Sequence, residues 1–132
     1  MSTNRNRRND SLHKRHLGNA SEEFAAQFVS RSLGWTILVR NWRCRFGELD
    51  IIAKDQGTLV IVEVRSRSQS NLGAVEEAVD ERKLRQLRRV IPIFLQSVEA
   101  TESCVRVDAI VIYFPHAQIT SMNHFRNVLV LN

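Results

Sequence analysis

Cysteine is nearly missing from this chain of 132 residues: there are two, Cys44 and Cys104. They form no CxxC pair, so a structural zinc site or a thioredoxin-type redox motif is not supported. They are expected as free thiols in a reducing cytoplasm. Long apolar runs are missing too. None approaches the roughly 18 residues of a membrane span, so no membrane partner is expected. The basic N-terminus is not followed by an apolar stretch, which argues against a secretory signal. There is no internal repeat, and only the N-terminal segment is biased in composition.

What is present fits one domain with a modest core. The formal charge of +5 is unevenly placed. Arg5, Arg7, Arg8, Lys14 and Arg15 against Asp10 give the first 16 residues +4, leaving +1 for the remainder. Residues 1–17 lack periodicity and read as a disordered basic tail. Arg7 and Arg8 are candidate nucleic-acid contacts, because such a tail suits phosphate by counterion release. A solvated extension with no partner fits equally well. Residues 18–132 read as a single domain.

The chain is organised around residues 46–68. Two runs rich in β-branched residues flank Asp55-Gln56-Gly57, a hairpin signal. Both limbs carry carboxylates inside apolar sequence: Glu48 and Asp50 in the first, Glu63 in the second. A turn centred on Gln56 places positions summing to about 113 opposite one another, so Asp50 faces Glu63. The limb from Thr58 to Val64 is apolar except at Glu63, as expected of a central strand covered on both faces.

Around this hairpin the chain alternates helix and strand. A helix starts near Ser21, an N-cap, with Glu22 and Glu23 in its first turn, and ends at Gly34. Trp35 to Trp42 reads as a strand. Asp80 caps a second helix with the stripe Leu84, Leu87, Val90/Ile91 and Phe94/Leu95, and its basic residues read as a solvated face. Pro92 predicts a kink or break after Arg88. Val105, Val107, Ala109 and Val111 alternate with Arg106, Asp108, Ile110 and Ile112 in a further strand. Pro115-His116 marks a turn, 118–120 begins a short strand, and 123–131 is ambiguous between helix and strand. The order predicts an α/β fold, a mixed β-sheet flanked by α-helices.

Opposed like charges destabilise a strand pair, and a divalent cation reverses that sign. Asp50, Glu63 and the backbone carbonyl of Val64 are therefore candidate ligands for Mg²⁺ or Mn²⁺. Arg65, two residues beyond Glu63, shares its face. Glu22 is a candidate third carboxylate. Metal-activated water, a cation beside developing charge and carboxylates that fix the metal suit phosphodiester hydrolysis. The competing reading is an ion-pair cluster in which Arg45, Arg65 and Arg67 neutralise the acids without any metal. Lys83 is a candidate phosphate contact.

Asp50 followed by Glu63-Val64-Arg65 resembles the PD-(D/E)xK nuclease signature. More closely, the chain resembles the YraN family, also designated UPF0102, of endonuclease-like proteins. The likeness rests on Glu22 with Ala25, Leu33-Gly34-Trp35, Gly47-Glu48-Leu49-Asp50-Ile51-Ile52-Ala53, Val62-Glu63-Val64-Arg65 with Arg67, Gly73, Val79, Lys83 and Arg106-Val107-Asp108. A weaker match runs from Ile119 to Leu129, with His124. The resemblance implies a restriction-endonuclease-like fold related to Holliday-junction resolvases, with Asp50 and Glu63 as metal ligands and Glu22 nearby. Taken with the reading of the residues above, the expected catalytic residues are Asp50, Glu63, Arg65 and Glu22, and the expected nucleic-acid contacts include Lys83 and Arg67. The implied partner is DNA, branched or damaged. A non-catalytic nucleic-acid-binding module keeping this fold is the alternative. Two positions depart from pattern: Arg65 stands where the nuclease signature has Lys, and Ser21 where the family usually has Gly.

Overall fold

The computed structural model describes residues 19–67, 79–98, 104–114 and 121–131. The basic tail with Arg7 and Arg8, the turn at Pro115-His116 and the strand start at 118–120 lie outside these residues. Helix α1 covers 19–27 and runs on as a π-helical turn, Phe28–Ser32. It is followed by β1 (Thr36–Cys44), β2 (Gly47–Asp55), β3 (Thr58–Arg67), α2 (Glu81–Ser97), β4 (Cys104–Tyr113) and β5 (Ser121–Leu129). The last of these settles the ambiguous ending as strand.

One sheet takes the strands in the order β1-β2-β3-β4-β5. Only β3 and β4 are parallel; the other three pairs are antiparallel. Parallel neighbours need a crossover, and α2 lies on it. The result is the expected mixed α/β sheet with two helices among the described residues, consistent with a restriction-endonuclease-like fold. The central place of β3 explains its apolar run.

Side-chain alternation divides the core. On one face Leu59 and Ile61 of β3 and Val107, Ala109 and Val111 of β4 pack with Leu87, Val90, Ile91 and Phe94 of α2. On the other, Val60, Val62, Ile110 and Ile112 pack with Ala25, Ala26 and Val29 of α1. Each large apolar side chain buried in this way contributes about 1.5–3 kcal/mol. Asp80 caps α2 as expected, its Oδ1 accepting the N–H of Lys83 at 2.8 Å.

Three local expectations are corrected. The helix α2 is continuous through Pro92, so there is no break. Val90, Ile91 and Phe94 are buried on both sides of the proline, and that packing outweighs one missing backbone bond. Ser21 is not an N-cap, because helix is already formed at residue 19. Ser21 is instead buried, and its hydroxyl lies 2.5 Å from that of Ser66 on β3. The hairpin turn has two residues rather than three: Asp55 pairs with Thr58, and Gln56 takes the left-handed conformation at φ 54°. Gly34, at φ 71°, ends α1 as the sequence predicts. The turn before it is π-helical, with Leu33 N–H donating to Phe28 O at 3.1 Å.

Both edge strands are irregular. The register of β1 shifts between Ile37 and Val39, and Asn41 is left-handed. That of β5 shifts opposite Val107 and Ala109, with Asn127 left-handed. Such irregularity discourages pairing with another sheet edge.

Candidate functional site

The start of β2, the end of β3 and the first turn of α2 meet at one end of the sheet. The β2–β3 ladder follows the expected register, Ile51 opposite Val62, but stops there. Where the next pair would be Asp50 and Glu63, the Asp50 carboxylate turns across the ladder. Its Oδ2 accepts the N–H of Val64 at 2.9 Å. An extended strand turns the N–H and C=O of one residue to the same side, which directs the Val64 carbonyl toward β2 as well. The costly like-charge pairing is thus converted into a carboxylate holding a freed backbone donor.

Asp50 is 8% exposed and Glu63 1%. Burial raises the pKa of Asp50; the Val64 hydrogen bond and the charge of Lys83 oppose this. Burial, followed by the charge of Asp50, pushes Glu63 up to about 8. Lys83 and Arg65 act in the opposite direction. The two oxygens of Glu63 differ. Lys83 Nζ lies 3.3 Å from Oε2, whereas Oε1 is buried without a hydrogen-bond partner.

Lys83 is where the sequence expectation fails. It does not join a solvated face; its side chain is only 15% exposed and points at Glu63. It also donates to Gln86 Oε1 at 2.9 Å, and Gln86 Nε2 donates to the Phe46 carbonyl at 3.3 Å. Gly47 permits this arrangement: a Cβ there would stand 2.6 Å from Gln86 Nε2, and its φ of 151° is one L side chains rarely adopt. Arg82, Arg85, Arg88 and Arg89 are exposed, as expected.

Arg65 lines the same cleft as Asp80, Arg82, Lys83 and Gln86, about 370 Å³ in volume. Its Nε is buried and without a partner. Arg67 is exposed and donates to the Ser66 carbonyl at 2.9 Å. Glu48 pairs at the surface with Arg43 at 3.0 Å. Glu22 is half-buried, and its pKa is raised by burial and then by the charges of Asp50 and Glu48. Among the described residues, no three His, Cys, Asp or Glu side chains form a group able to hold a metal ion.

A profile of the family described as "Uncharacterised protein family UPF0102" matches residues 21–112. The chain belongs to the UPF0102 family. It is 42% identical over 102 residues to a UPF0102 protein of Caldicellulosiruptor saccharolyticus, covering 77% of this chain and 86% of the relative. A UPF0102 protein of Mycolicibacterium smegmatis is 45% identical over 102 residues, 76% of this chain and 82% of that one. One of Desulforamulus reducens is 43% identical over 123 residues, 90% and 99% of the two chains.

The UPF0102 match takes in Arg106 and Asp108, two members of a second polar centre on the opposite face of the sheet. Asp108 is fully buried. It receives Arg106 through Nε at 2.9 Å and Nη2 at 3.1 Å, and the Asn127 N–H at 3.0 Å. His124 Nε2 lies 2.8 Å from its Oδ2. The His124 ring meets Trp35 and Phe28 edge-on, which ties β5 to α1. Burial raises the Asp108 pKa, but the bonds from His124, Arg106 and Asn127 outweigh it and hold the carboxyl below its ordinary value. Sequence spacing placed Arg106 and Asp108 on one face; nothing in it paired them with His124. Gln86 was missed altogether, since a helical glutamine carries no signal until the chain beside it is known.

Proposed function

We propose that this UPF0102 protein is a divalent-metal-dependent phosphodiesterase acting on DNA. The observation that supports it best is the half-satisfied carboxylate pair. Two acids, both nearly buried, meet at the strand ends, and the inner oxygen of Glu63 has no partner. An unpartnered buried carboxylate oxygen is costly, and a hard cation is the chemistry that removes the cost.

Asp50, Glu63 and the Val64 carbonyl would hold Mg²⁺ or Mn²⁺. When bound, the ion would lower the pKa of a ligated water and stabilise charge on the phosphoryl oxygens. Two carboxylates suffice for Mg²⁺, which usually keeps several waters. Val64 N–H fixes the orientation of Asp50. A guanidinium is not a general base, so Arg65 serves as a stabiliser of developing charge. Glu22 orients water near Asp50. Lys83, Arg67 and the tail residues Arg7 and Arg8 contact phosphates.

Calorimetric titration with Mn²⁺ tests the site: the Asp50→Ala/Glu63→Ala variant is expected to lose binding, and unchanged binding removes the metal centre. Nicking assays on branched, single-stranded and duplex DNA test the reaction. The arginine at position 65, where the nuclease signature has lysine, supports one second reading, a nucleic-acid-binding module without catalysis. Salt-sensitive DNA binding without cleavage would decide for it.

A further inference from the structure

Lys83 holds a position that a phosphate contact alone does not require. Asp80 fixes its backbone in the first turn of α2. Its ammonium is shared between Glu63 Oε2 and Gln86 Oε1. Gln86 is itself held on the Phe46 carbonyl and lies over Gly47, where no side chain can intrude. The ammonium therefore sits beside one oxygen of the carboxylate whose other oxygen is unpartnered. A dication on Glu63 and an ammonium on the same carboxylate repel each other.

We infer that Lys83 is a built-in competitor for the metal: it occupies the Oε2 side of Glu63 in the free protein, withdraws into the adjoining cationic cleft when a divalent ion binds, and meets a substrate phosphate there. This deepens the reading above and rests on it. The four-carbon stem of lysine permits such a withdrawal. The cleft is suited to an anion. It is lined by Arg65, Arg82 and Lys83, with Gln86 and one acid, Asp80, whose Oδ1 is already engaged by a backbone N–H. The buried Nε of Arg65 awaits an acceptor. Each partner then favours the other, because the phosphate draws Lys83 off Glu63 and the metal drives it toward the phosphate. The coupling is reciprocal by thermodynamic necessity.

The test is calorimetric titration of the full chain with Mn²⁺, alone and with saturating thymidine 5′-monophosphate as the anion probe, blanks for probe and metal subtracted. Lys83→Met removes the charge and keeps most of the stem. It is expected to bind Mn²⁺ roughly tenfold more tightly than the parent, since a neighbouring like charge is gone. Lys83→Arg keeps the charge and is expected to show no gain. The nucleotide is expected to raise the Mn²⁺ affinity of the parent severalfold more than that of Lys83→Met. Equal or weaker Mn²⁺ binding by a Lys83→Met variant with native circular dichroism overturns the inference, as does nucleotide coupling of undiminished size without Lys83. If the Asp50→Ala/Glu63→Ala variant binds Mn²⁺ like the parent, the metal centre itself is wrong and the inference falls with it. If that variant loses binding while Lys83→Met shows no gain, the centre stands and only the inference fails.

Discussion

Replacing Asp108 by Asn tests how the second polar centre supports the fold. The substitution preserves shape and removes the charge. Asp108 has no exposure and takes two bonds from Arg106, one from the Asn127 N–H and a contact with His124 Nε2. In the variant one of the two oxygens becomes an amide that donates, facing groups that donate. Removing one partner of a buried ion pair costs about 3–5 kcal/mol. At roughly 4 °C per kcal/mol for a domain of this size, the melting temperature is expected to fall by about 12–20 °C. The pH dependence has a definite sign. The folded-state pKa of Asp108 is lowered from its ordinary value of 3.8. Its contribution is therefore fully present above pH 3.8 and is lost as pH falls through the lower folded value. Urea unfolding of both proteins at pH 6 and at pH 3 measures this. The gap between them is expected to be largest at pH 6 and to narrow at pH 3. A gap under about 1 kcal/mol at pH 6, or one of equal size at both, would refute the assignment of a charged, hydrogen-bonded Asp108 as the organiser of this face.

Three further outcomes follow from the same reasoning. Glu63 is raised from 4.5 to about 8, so its stabilising contribution is complete below pH 4.5 and is lost as pH rises through about 8. In metal-free protein the stability of Glu63→Gln relative to the parent is thus expected to improve by about 3 kcal/mol from pH 4.5 to pH 7, read by urea unfolding, and a flat difference would contradict it. Ser66→Ala leaves the buried Ser21 hydroxyl without its partner and is expected to cost about 1–3 kcal/mol, whereas the double variant with Ser21→Ala costs less than the two changes summed; thermal unfolding of the four proteins decides. Pro92→Ala restores a backbone donor inside α2 at an exposed position and is expected to raise stability by about 1–2 kcal/mol, with a lower melting temperature as the contrary result.

Most of the fold was legible because hydrophobic period carries it. Alternation in β4 assigned its two faces correctly, and the apolar run of β3 announced a strand covered on both sides. Turn chemistry located the β2–β3 hairpin, and the register it implied is the one observed. What failed was local. Ser21 looks like a helix cap by type, yet its position against Ser66 depends on a strand 45 residues away. Pro92 looks like a helix breaker by type, yet tertiary packing holds the helix through it. Propensity is a weak prior at single positions, and burial overrides it.

The site divides in the same way. Asp50 and Glu63 were visible because charge inside apolar strands is costly enough to demand a reason. Their geometry was not, because opposed carboxylates were expected and the ladder opens instead. Asp50 and Asp108 share this logic. Each accepts a backbone N–H where strand pairing turns irregular, Val64 beyond the last β2–β3 pair and Asn127 at the β5 shift. They differ in what completes them. Arg106 and the Asn127 N–H, with His124 alongside, satisfy Asp108, and burial there fixes structure. Asp50 and Glu63 have one shared lysine, one backbone donor and an oxygen with no partner at all. Among the described residues, the sheet satisfies one buried carboxylate fully and leaves the other pair short, beside a cleft lined mainly by cations. That asymmetry between the two faces is the physical ground for proposing a metal at the β2–β3 end rather than at Asp108.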